Sequence, residues 1–175
     1  MKQKEASGRS FTLIELIVVM AIMAILAVVA VPALTGVSGR RLALAAHRMA
    51  ADIKLARTLA TATRRHTWVD FDVSNDSYDV YIESPTTPGR ANRIWVTHPE
   101  TGGQFHVALD AGDFVGVKIQ SAEFASGSEV EFDRLGTPYD GAGSALAEDG
   151  TVVLVADGQT RTVTVVAETG MVRQE

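Results

Sequence analysis

Residues 16–34 read LIVVMAIMAILAVVAVPAL and contain no charged or strongly polar side chain. At a rise of about 1.5 Å per residue, a helix over this run covers roughly 28 Å, close to the roughly 30 Å hydrocarbon core of a bilayer. The run is too long for the apolar core of a secretory signal peptide, and a helical pattern follows it in place of a small-residue cleavage site. We therefore predict a membrane-spanning helix over residues 11–34.

The charges beside and inside this run bear on its orientation and role. A short basic stretch with Lys2, Lys4 and Arg9 precedes it, and three arginines follow closely, so charge alone leaves the orientation open. Glu15 lies inside the apolar stretch, where an ionised carboxylate near the bilayer centre costs about 2.5–3.5 kcal/mol. Either Glu15 lies at the membrane edge and reaches the headgroups, or it pairs with a cation within the membrane. The nearest candidate for that cation is a newly cut N-terminal amine.

Composition and charge exclude several classes of protein. The chain has 175 residues, a formal net charge of −5 and a hydrophobic fraction of 46%. Residues 1–66 carry a net charge of +7, and residues 67–175 carry −12. This composition excludes a disordered, a collagen-like and a multi-pass membrane protein. Because the chain has no cysteine, it has no disulfide framework, thiolate nucleophile or zinc–thiolate site.

A linking helix is predicted over residues 35–66. Pro32 and the following TGVSG weaken its start, so we expect a hinge or a loosened helix at residues 32–39. Beyond this point, apolar and small residues recur at steps of three and four, which is typical of one buried helix face. The residues of this predicted face are Leu42, Ala45, Met49, Ile53, Ala56 and Ala60.

Basic residues occupy the other side of the linking helix. Three roles are open for this basic face. It could be a solvated helix side, it could contact acidic surfaces of neighbouring subunits or of the chain's own distal half, or it could contact nucleic acid. The acidic distal half opposes the last of these, because phosphate binding depends on positive charge. The basic residues are Arg41, Arg48, Lys54, Arg57, Arg64 and Arg65.

The hydrophobic period changes to two from Thr67 onward, which predicts an antiparallel β-sandwich over residues 67–175. SNDS between the first two strands indicates a hairpin, and Asp157-Gly158 favours a tight turn between the last long pair. The Gly-rich segment 134–150 is predicted to be a surface loop. The predicted strands cover 67–73, 78–84, 93–98, 104–109, 114–120, 129–133, 151–156 and 160–168, with a short strand at 171–172.

No enzyme signature, metal site or cofactor site is predicted. The four histidines form no metal-ligand helix pair, although His98 and His106 could meet across a turn. Four aspartates between residues 70 and 79 fit a solvated acidic face better than a cation site, since they lack EF-hand spacing. Trp68 and Trp95 fit core or rim packing. The histidines are His47, His66, His98 and His106, and the aspartates are Asp70, Asp72, Asp76 and Asp79.

Residues 10–32, SFTLIELIVVMAIMAILAVVAVP, resemble the N-terminus of type IV pilins and of the pseudopilins of type II secretion. In that family a basic leader is cut before a Phe, whose new amine is methylated. A Glu four residues later pairs with the amine of a neighbouring subunit, and a Pro twenty-one residues after the Phe kinks the helix. Phe11, Glu15 and Pro32 match these spacings. Ser10 departs from the family, which has Gly or sometimes Ala before the cut.

This resemblance implies what the N-terminal residues do. Residues 1–10 would be a leader peptide, and the bond between Ser10 and Phe11 would be cut by a prepilin peptidase that also acts as N-methyltransferase. Glu15 would direct assembly, and Pro32 would kink the helix. The resemblance also sets the orientation, with the leader in the cytoplasm and the bulk of the chain outside.

The order of elements is similar to that of the GspH/FimT group of minor pseudopilins and minor pilins. VEFDRLGTP at 130–138 and VVAETGMV at 165–172 add a weaker likeness. The group implies an α+β fold, in which a long N-terminal helix, membrane-spanning and then amphipathic, packs on an antiparallel β-sandwich head. It also places the chain in the bacterial inner membrane as a single-pass protein, with the head in the periplasm.

The function implied is that of a minor pseudopilin, a structural subunit at the tip of the type II secretion pseudopilus, which exports folded proteins. The alternatives are a FimT-like minor type IV pilin involved in pilus assembly or DNA uptake, and an anchored module with a ligand site in the head. The partners implied are other pseudopilins or pilins in a filament, the prepilin peptidase, an inner-membrane assembly platform and the lipid bilayer. DNA is not expected as a partner, and no cofactor is expected.

Overall fold

The computed structural model describes residues 12–175, with the side chains of residues 27–36 left out. One helix, α1, spans Leu13–Thr63. The chain divides into two compact units between Val37 and Ser38. The strands are β1 Thr67–Asp72, β2 Ser77–Ile82, β3 Ile94–Trp95, β4 His106–Ala108, β5 Lys118–Glu123, β6 Glu129–Phe132, β7 Pro138–Asp140, β8 Gly150–Ala156, β9 Gln159–Val165 and β10 Val172–Gln174.

The N-terminal unit is the first part of α1. Thr12 caps it, because the backbone N–H of Glu15 donates to Thr12 Oγ1 at 3.3 Å. Within the residues that the structure describes, no helix has both the length and the apolar character needed to cross a membrane. The predicted span over 11–34 includes Phe11 and the side chains of residues 27–34, which lie outside the described part of the chain. The membrane-spanning segment therefore stays a prediction.

The backbone is α-helical through residues 32–39, where the sequence predicts a hinge or a loosened helix. Glycine and proline lower helix stability without always ending a helix. The side chain of Pro32 lies outside the described part, so the kink there stays a prediction. The helix ends three residues before its predicted end, and Arg64 leaves it with a positive φ of 54°.

The strands form two antiparallel sheets, as predicted for the head. The first sheet has the order β3-β2-β1-β6-β7, with β4 also pairing with β2, and the second has the order β10-β9-β8-β5. The predicted hairpin between the first two strands is confirmed, with Asp72 opposite Ser77. Asp157 and Gly158 both have positive φ, which a tight two-residue hairpin turn of type I′ requires.

The head and the C-terminal part of α1 share one hydrophobic core. All six residues of the predicted helix face are at most 1% exposed, so this prediction is confirmed. Inward-facing residues of both sheets complete the core, and the rings of Phe71 and Phe124 stack with centroids 5.6 Å apart. The α+β class with a helix packed on antiparallel sheets is therefore confirmed. The core residues from the sheets include Val69, Val80, Val130, Phe132, Val152, Leu154, Val163 and Val165.

The prediction of a surface loop over residues 134–150 is wrong in part. This segment contains β7, which pairs with β6, and it buries Leu146. The carboxylate of Asp140 accepts the backbone N–H groups of Ala142 and Ser144, at 3.0 and 2.8 Å, and so fixes the turn after β7. A three-residue strand at a sheet edge shows no alternation long enough to be seen in a sequence. The predicted strand at 114–120 begins only at Lys118, because Gly112–Phe114 forms a 3-10 turn.

Candidate assembly site

The described N-terminal part of α1 presents an apolar surface on all sides. Its large apolar residues from Leu13 to Leu26 are each at least half exposed. Monomeric soluble proteins rarely expose a contiguous apolar surface of this size, so it needs lipid or other helices to cover it. These residues are Leu13, Ile14, Leu16, Ile17, Val18, Val19, Met20, Ile22, Met23, Ile25 and Leu26.

Glu15 is the single charged residue between Thr12 and Gly39 in the sequence. It lies in the first turn of α1 and is exposed. Free backbone N–H groups and the helix dipole favour a negative charge at this position. The predicted processing residues, Ser10 and Phe11, lie outside the described residues. The cut between them and the pairing of Glu15 with an amine therefore stay predictions.

A buried polar network joins α1 to the first sheet. Asp52 is buried, and its Oδ2 accepts the hydroxyl of Tyr78 at 2.6 Å and Nε of Arg48 at 2.9 Å. Arg48 Nη1 also donates to Glu100 Oε1 at 2.7 Å, which raises the pKa of Arg48 and lowers the pKa of Glu100. Burial, together with the charge of Asp52, raises the pKa of Tyr78. The helix is thus tied to the head by a charged contact as well as by apolar packing.

Other arginines of the basic face also bind the head. Arg41, Arg57 and Arg65 donate to backbone carbonyl oxygens of the head at 3.0–3.3 Å. Lys54 and Arg64 remain exposed. Contact of the basic face with an acidic residue of the distal half is confirmed for Arg48, which pairs with Glu100. The other three arginines bind backbone carbonyl oxygens there and so hold the helix on the head.

The four aspartates between residues 70 and 79 are engaged in protein contacts. One accepts a hydrogen bond from an arginine, one pairs with a histidine, and two accept backbone N–H groups. Among the described residues no group of three or more His, Cys, Asp and Glu side chains is placed to hold a metal ion. The contacts are Asp70 with Arg93, Asp79 with His106, Asp72 with Ser74 and Asn75, and Asp76 with Ile119.

The histidines that could meet across a turn have different partners. His98 is buried, and its Nε2 lies 3.1 Å from Arg48 Nη2, whereas Nδ1 of His106 lies 2.6 Å from Asp79 Oδ1.

Trp68 is 2% exposed and donates from Nε1 to Glu131 Oε2 at 2.8 Å, which confirms the prediction that it is a packing residue.

The sequence gives no signal for a second buried carboxylate, Glu129. Its Oε2 accepts Nη1 of Arg93 at 2.6 Å, and Arg90 Nη2 lies 2.7 Å from its Oε1. Burial raises the pKa of Glu129, and the hydrogen bond from Arg93 opposes this rise. Arg93 and Glu129 are 36 residues apart in the chain, so only the pairing of β3, β2, β1 and β6 brings them together.

Comparison with known proteins gives one match for the N-terminus and separate matches for the fold. The model of the prokaryotic N-terminal methylation motif matches residues 7–31. Two structures of the minor pseudopilin EpsH from the type II secretion system of Vibrio cholerae match the fold with a TM-score of 0.56, and their sequence identities are 14% and 12%. The matches cover 77% and 78% of this chain and 96% of each EpsH chain. The chain thus carries a prokaryotic N-terminal methylation motif and shares its fold with EpsH.

A further solved structure, the type IV minor pilin FimU of Pseudomonas aeruginosa, matches this chain with a TM-score of 0.48 and 16% identity. That match covers 78% of this chain and 89% of the FimU chain. Comparison with curated protein sequences gives no match.

The two weaker motifs of the head, residues 130–138 and 165–172, meet on α1. Gly136, from the first motif, has a φ of +83°, and its carbonyl oxygen accepts Nε of Arg57 at 3.1 Å. Gly170, from the second motif, has a φ of +63° and is buried against the same place. A Cβ atom on Gly170 would lie 2.6 Å from the carbonyl oxygen of Gly136 and 3.0 Å from Nε of Arg57. Both glycines are needed for this close backbone contact.

Gly170→Ala is expected to destabilise the head by about 2 kcal/mol, because the positive φ and the close backbone contact each cost about 1 kcal/mol. Gly158→Ala is the matched control, since Gly158 has a φ of +76° with nothing within 4 Å of its added Cβ. Thermal unfolding of the full chain in detergent measures both variants. Equal losses of stability in the two variants would show that the contact with Gly136 contributes nothing.

Proposed function

We propose that the chain is a minor pseudopilin, a structural subunit of a type II secretion pseudopilus. One observation carries this proposal: the helical segment from Leu13 to Leu26 is apolar and exposed, and its one carboxylate, Glu15, lies near its start. The same chain also has a folded β-sheet head. The N-terminal methylation motif and the fold shared with EpsH support it. A minor type IV pilin is the alternative, because pilins carry the same kind of N-terminus.

The proposed mechanism is assembly, with no reaction catalysed by this chain. The apolar helix holds the subunit in the bilayer, and packing against other helices in the filament core replaces the lipid contacts on extraction. Glu15 pairs with the N-terminal amine of a neighbouring subunit, which removes the cost of an unpaired charge in an apolar surrounding. This pair also sets the register between subunits.

The proposed location follows from the same orientation. The leader lies in the cytoplasm, the apolar helix crosses the bacterial inner membrane once, and the head lies in the periplasm. The proposed partners are the other subunits of the filament, the prepilin peptidase that removes residues 1–10, the inner-membrane assembly platform and the lipid bilayer. The position proposed for the subunit is at or near the filament tip.

DNA is not among the proposed partners. Arg41, Arg57 and Arg65 are bound to carbonyl oxygens of the head, and Arg48 pairs with Asp52 and Glu100, so these four arginines of the basic face are not free to bind phosphates. Lys54 and Arg64 are exposed, but the head that follows them, residues 67–175, carries a net charge of −12. A gel-shift titration of the full chain in detergent at low salt tests this point, and binding there would favour the minor-pilin alternative.

Processing is the first test of the proposed function. Protein extracted from membranes that contain an active prepilin peptidase is expected to begin at Phe11 and to carry one added methyl group. Intact-mass measurement and N-terminal sequencing check both features together. Protein from cells without the peptidase is the control and is expected to keep residues 1–10. If residues 1–10 are also retained when the peptidase is active, the proposed function is wrong.

A further inference from the structure

The chain enters the head at Ser38, and the segments that contact this part of α1 form one end of the head. The hydroxyl of Ser38 donates to Oδ2 of Asp157, in the turn between β8 and β9. Arg41 Nη1 donates to the carbonyl oxygen of Val115 at 3.3 Å, in the loop before β5. We call this end, which includes Asp157 and the loop 110–116, the entry end of the head.

The loop 110–116 presents one apolar side chain to solvent on a fixed backbone. Val115 is 48% exposed, whereas the neighbouring Phe114 packs against the core. Oδ1 of Asp110 closes the loop, because it accepts the backbone N–H of Gly116 at 3.1 Å. A side chain on a fixed loop loses little conformational entropy on binding, so Val115 is prepared for a contact.

Charges of both signs lie around this apolar side chain at the entry end. Arg40 and Lys118 are exposed cations, and Asp113 is an exposed anion. The carboxylates of Asp110 and Asp157 accept hydrogen bonds from within the head. Apolar side chains that are flanked by charged ones bind at the boundary between lipid headgroups and acyl chains. Because phospholipid headgroups carry phosphate and ammonium groups side by side, this mixture of charges fits a headgroup layer better than a partner of one charge sign.

The covalent chain limits how far Ser38 can lie from the predicted membrane span. The span is predicted to end at residue 34, four residues before Ser38. Four residues reach at most about 14 Å even when fully extended, so this limit holds for any conformation of the connection. A tether of this length gives the entry end a high effective concentration at the bilayer surface, so a contact that is weak by itself is still populated.

We propose that the loop 110–116 docks on the phospholipid headgroup layer while the subunit is stored in the bilayer. Val115 then reaches the boundary between headgroups and acyl chains. Arg40 and Lys118 lie beside lipid phosphates, and Asp113 lies beside lipid ammonium groups. The inference rests on the proposed function, in which the apolar helix spans the membrane, and it adds a second, reversible contact between the head and the same bilayer. Extraction of the subunit into a filament then breaks this contact as well.

A single fluorescent label tests the contact, because the natural chain has no cysteine. The full chain with a labelled Val115→Cys is reconstituted into vesicles of phosphatidylethanolamine and phosphatidylglycerol. Its fluorescence is expected to fall strongly when a nitroxide is attached to the lipid headgroups. Leu135→Cys is the matched control, since Leu135 is also an exposed loop residue but lies beside Thr61, 23 residues or roughly 35 Å of helix beyond Ser38. Its label is expected to stay bright, and equal quenching at the two positions, or none at Val115, would overturn the proposal.

A second change separates docking by Val115 from mere closeness to the bilayer. With the label moved to Asp113→Cys, Val115→Glu is expected to reduce quenching by the headgroup nitroxide at least several-fold. A carboxylate stays out of the apolar boundary and is repelled by phosphatidylglycerol. Val115→Leu is the control and is expected to keep the quenching, because it keeps an apolar side chain. Undiminished quenching in the Val115→Glu chain would show that Val115 makes no contact with lipid and would contradict the proposal.

A label inside the predicted span separates this inference from the proposed function. Ala24→Cys is labelled in the same way, and its fluorescence is expected to be quenched by a nitroxide on the acyl chains. If the Ala24 label is quenched and the Val115 label is not, the docking of the head is wrong and the proposed function stands. If the Ala24 label is not quenched, the predicted span is wrong, and the proposed function fails with it.

Discussion

Glu15→Leu is expected to leave membrane insertion and leader cleavage intact and to abolish incorporation into the filament. The change lengthens the apolar run and removes a charge that costs about 2.5–3.5 kcal/mol near the bilayer centre, so insertion is not weakened. The variant has no carboxylate to pair with the amine of a neighbour. That amine then stays charged without a partner in the filament core, where a buried unpaired charge costs several kcal/mol.

Incorporation is measured as co-purification with other filament subunits, normalised to the amount of chain in the membrane. Glu5→Ala is the matched control, because it removes a carboxylate from the leader, which is absent from the processed chain. Glu15→Asp keeps the charge on a shorter side chain and is expected to give an intermediate result. Normal co-purification of the Glu15→Leu variant would contradict the proposed ion pair.

Elements defined by local spacing could be predicted from the sequence. The helix face from Leu42 to Ala60 repeats at three and four residues, and the packed helix buries all of the residues named for it. The turn at Asp157-Gly158 is specified by residues that tolerate positive φ. Phe11, Glu15 and Pro32 were singled out because they match the spacing of a known family, and their roles stay predictions, since the side chains of Phe11 and Pro32 lie outside the described part of the chain.

Elements decided by long-range pairing could not be predicted. β7 has three residues and includes Pro138, so its place at the sheet edge depends on β6 and on the turn fixed by Asp140. The contact of Arg93 with Glu129 depends on a strand order that periodicity does not reveal. The hydrogen bond between Asp52 and Tyr78 could not be predicted either, because the two residues lie 26 positions apart in the chain.

Asp52→Ala is expected to destabilise the head by about 3 kcal/mol, since removing one partner of a buried ion pair leaves the other group uncompensated. The hydroxyl of Tyr78 loses its acceptor at 2.6 Å inside the core, and Arg48 loses one of its two carboxylate partners. The side chain of Arg48 is 24% exposed and keeps Glu100, which holds the loss near the lower end of the range for such pairs. Thermal unfolding of the full chain in detergent should show a fall in Tm of roughly 10 °C.

The controls separate the hydrogen bond from the charge. Asp52→Asn keeps an acceptor for Tyr78 and is expected to lose less stability than Asp52→Ala. Tyr78→Phe removes the hydroxyl, so the combination of Tyr78→Phe with Asp52→Ala should be less destabilising than the sum of the two single changes. Strict additivity would mean that the two side chains do not interact. Because this contact ties α1 to the first sheet, its loss should also loosen the head from the helix that anchors it, and co-purification with filament subunits should fall as the temperature approaches the lowered Tm.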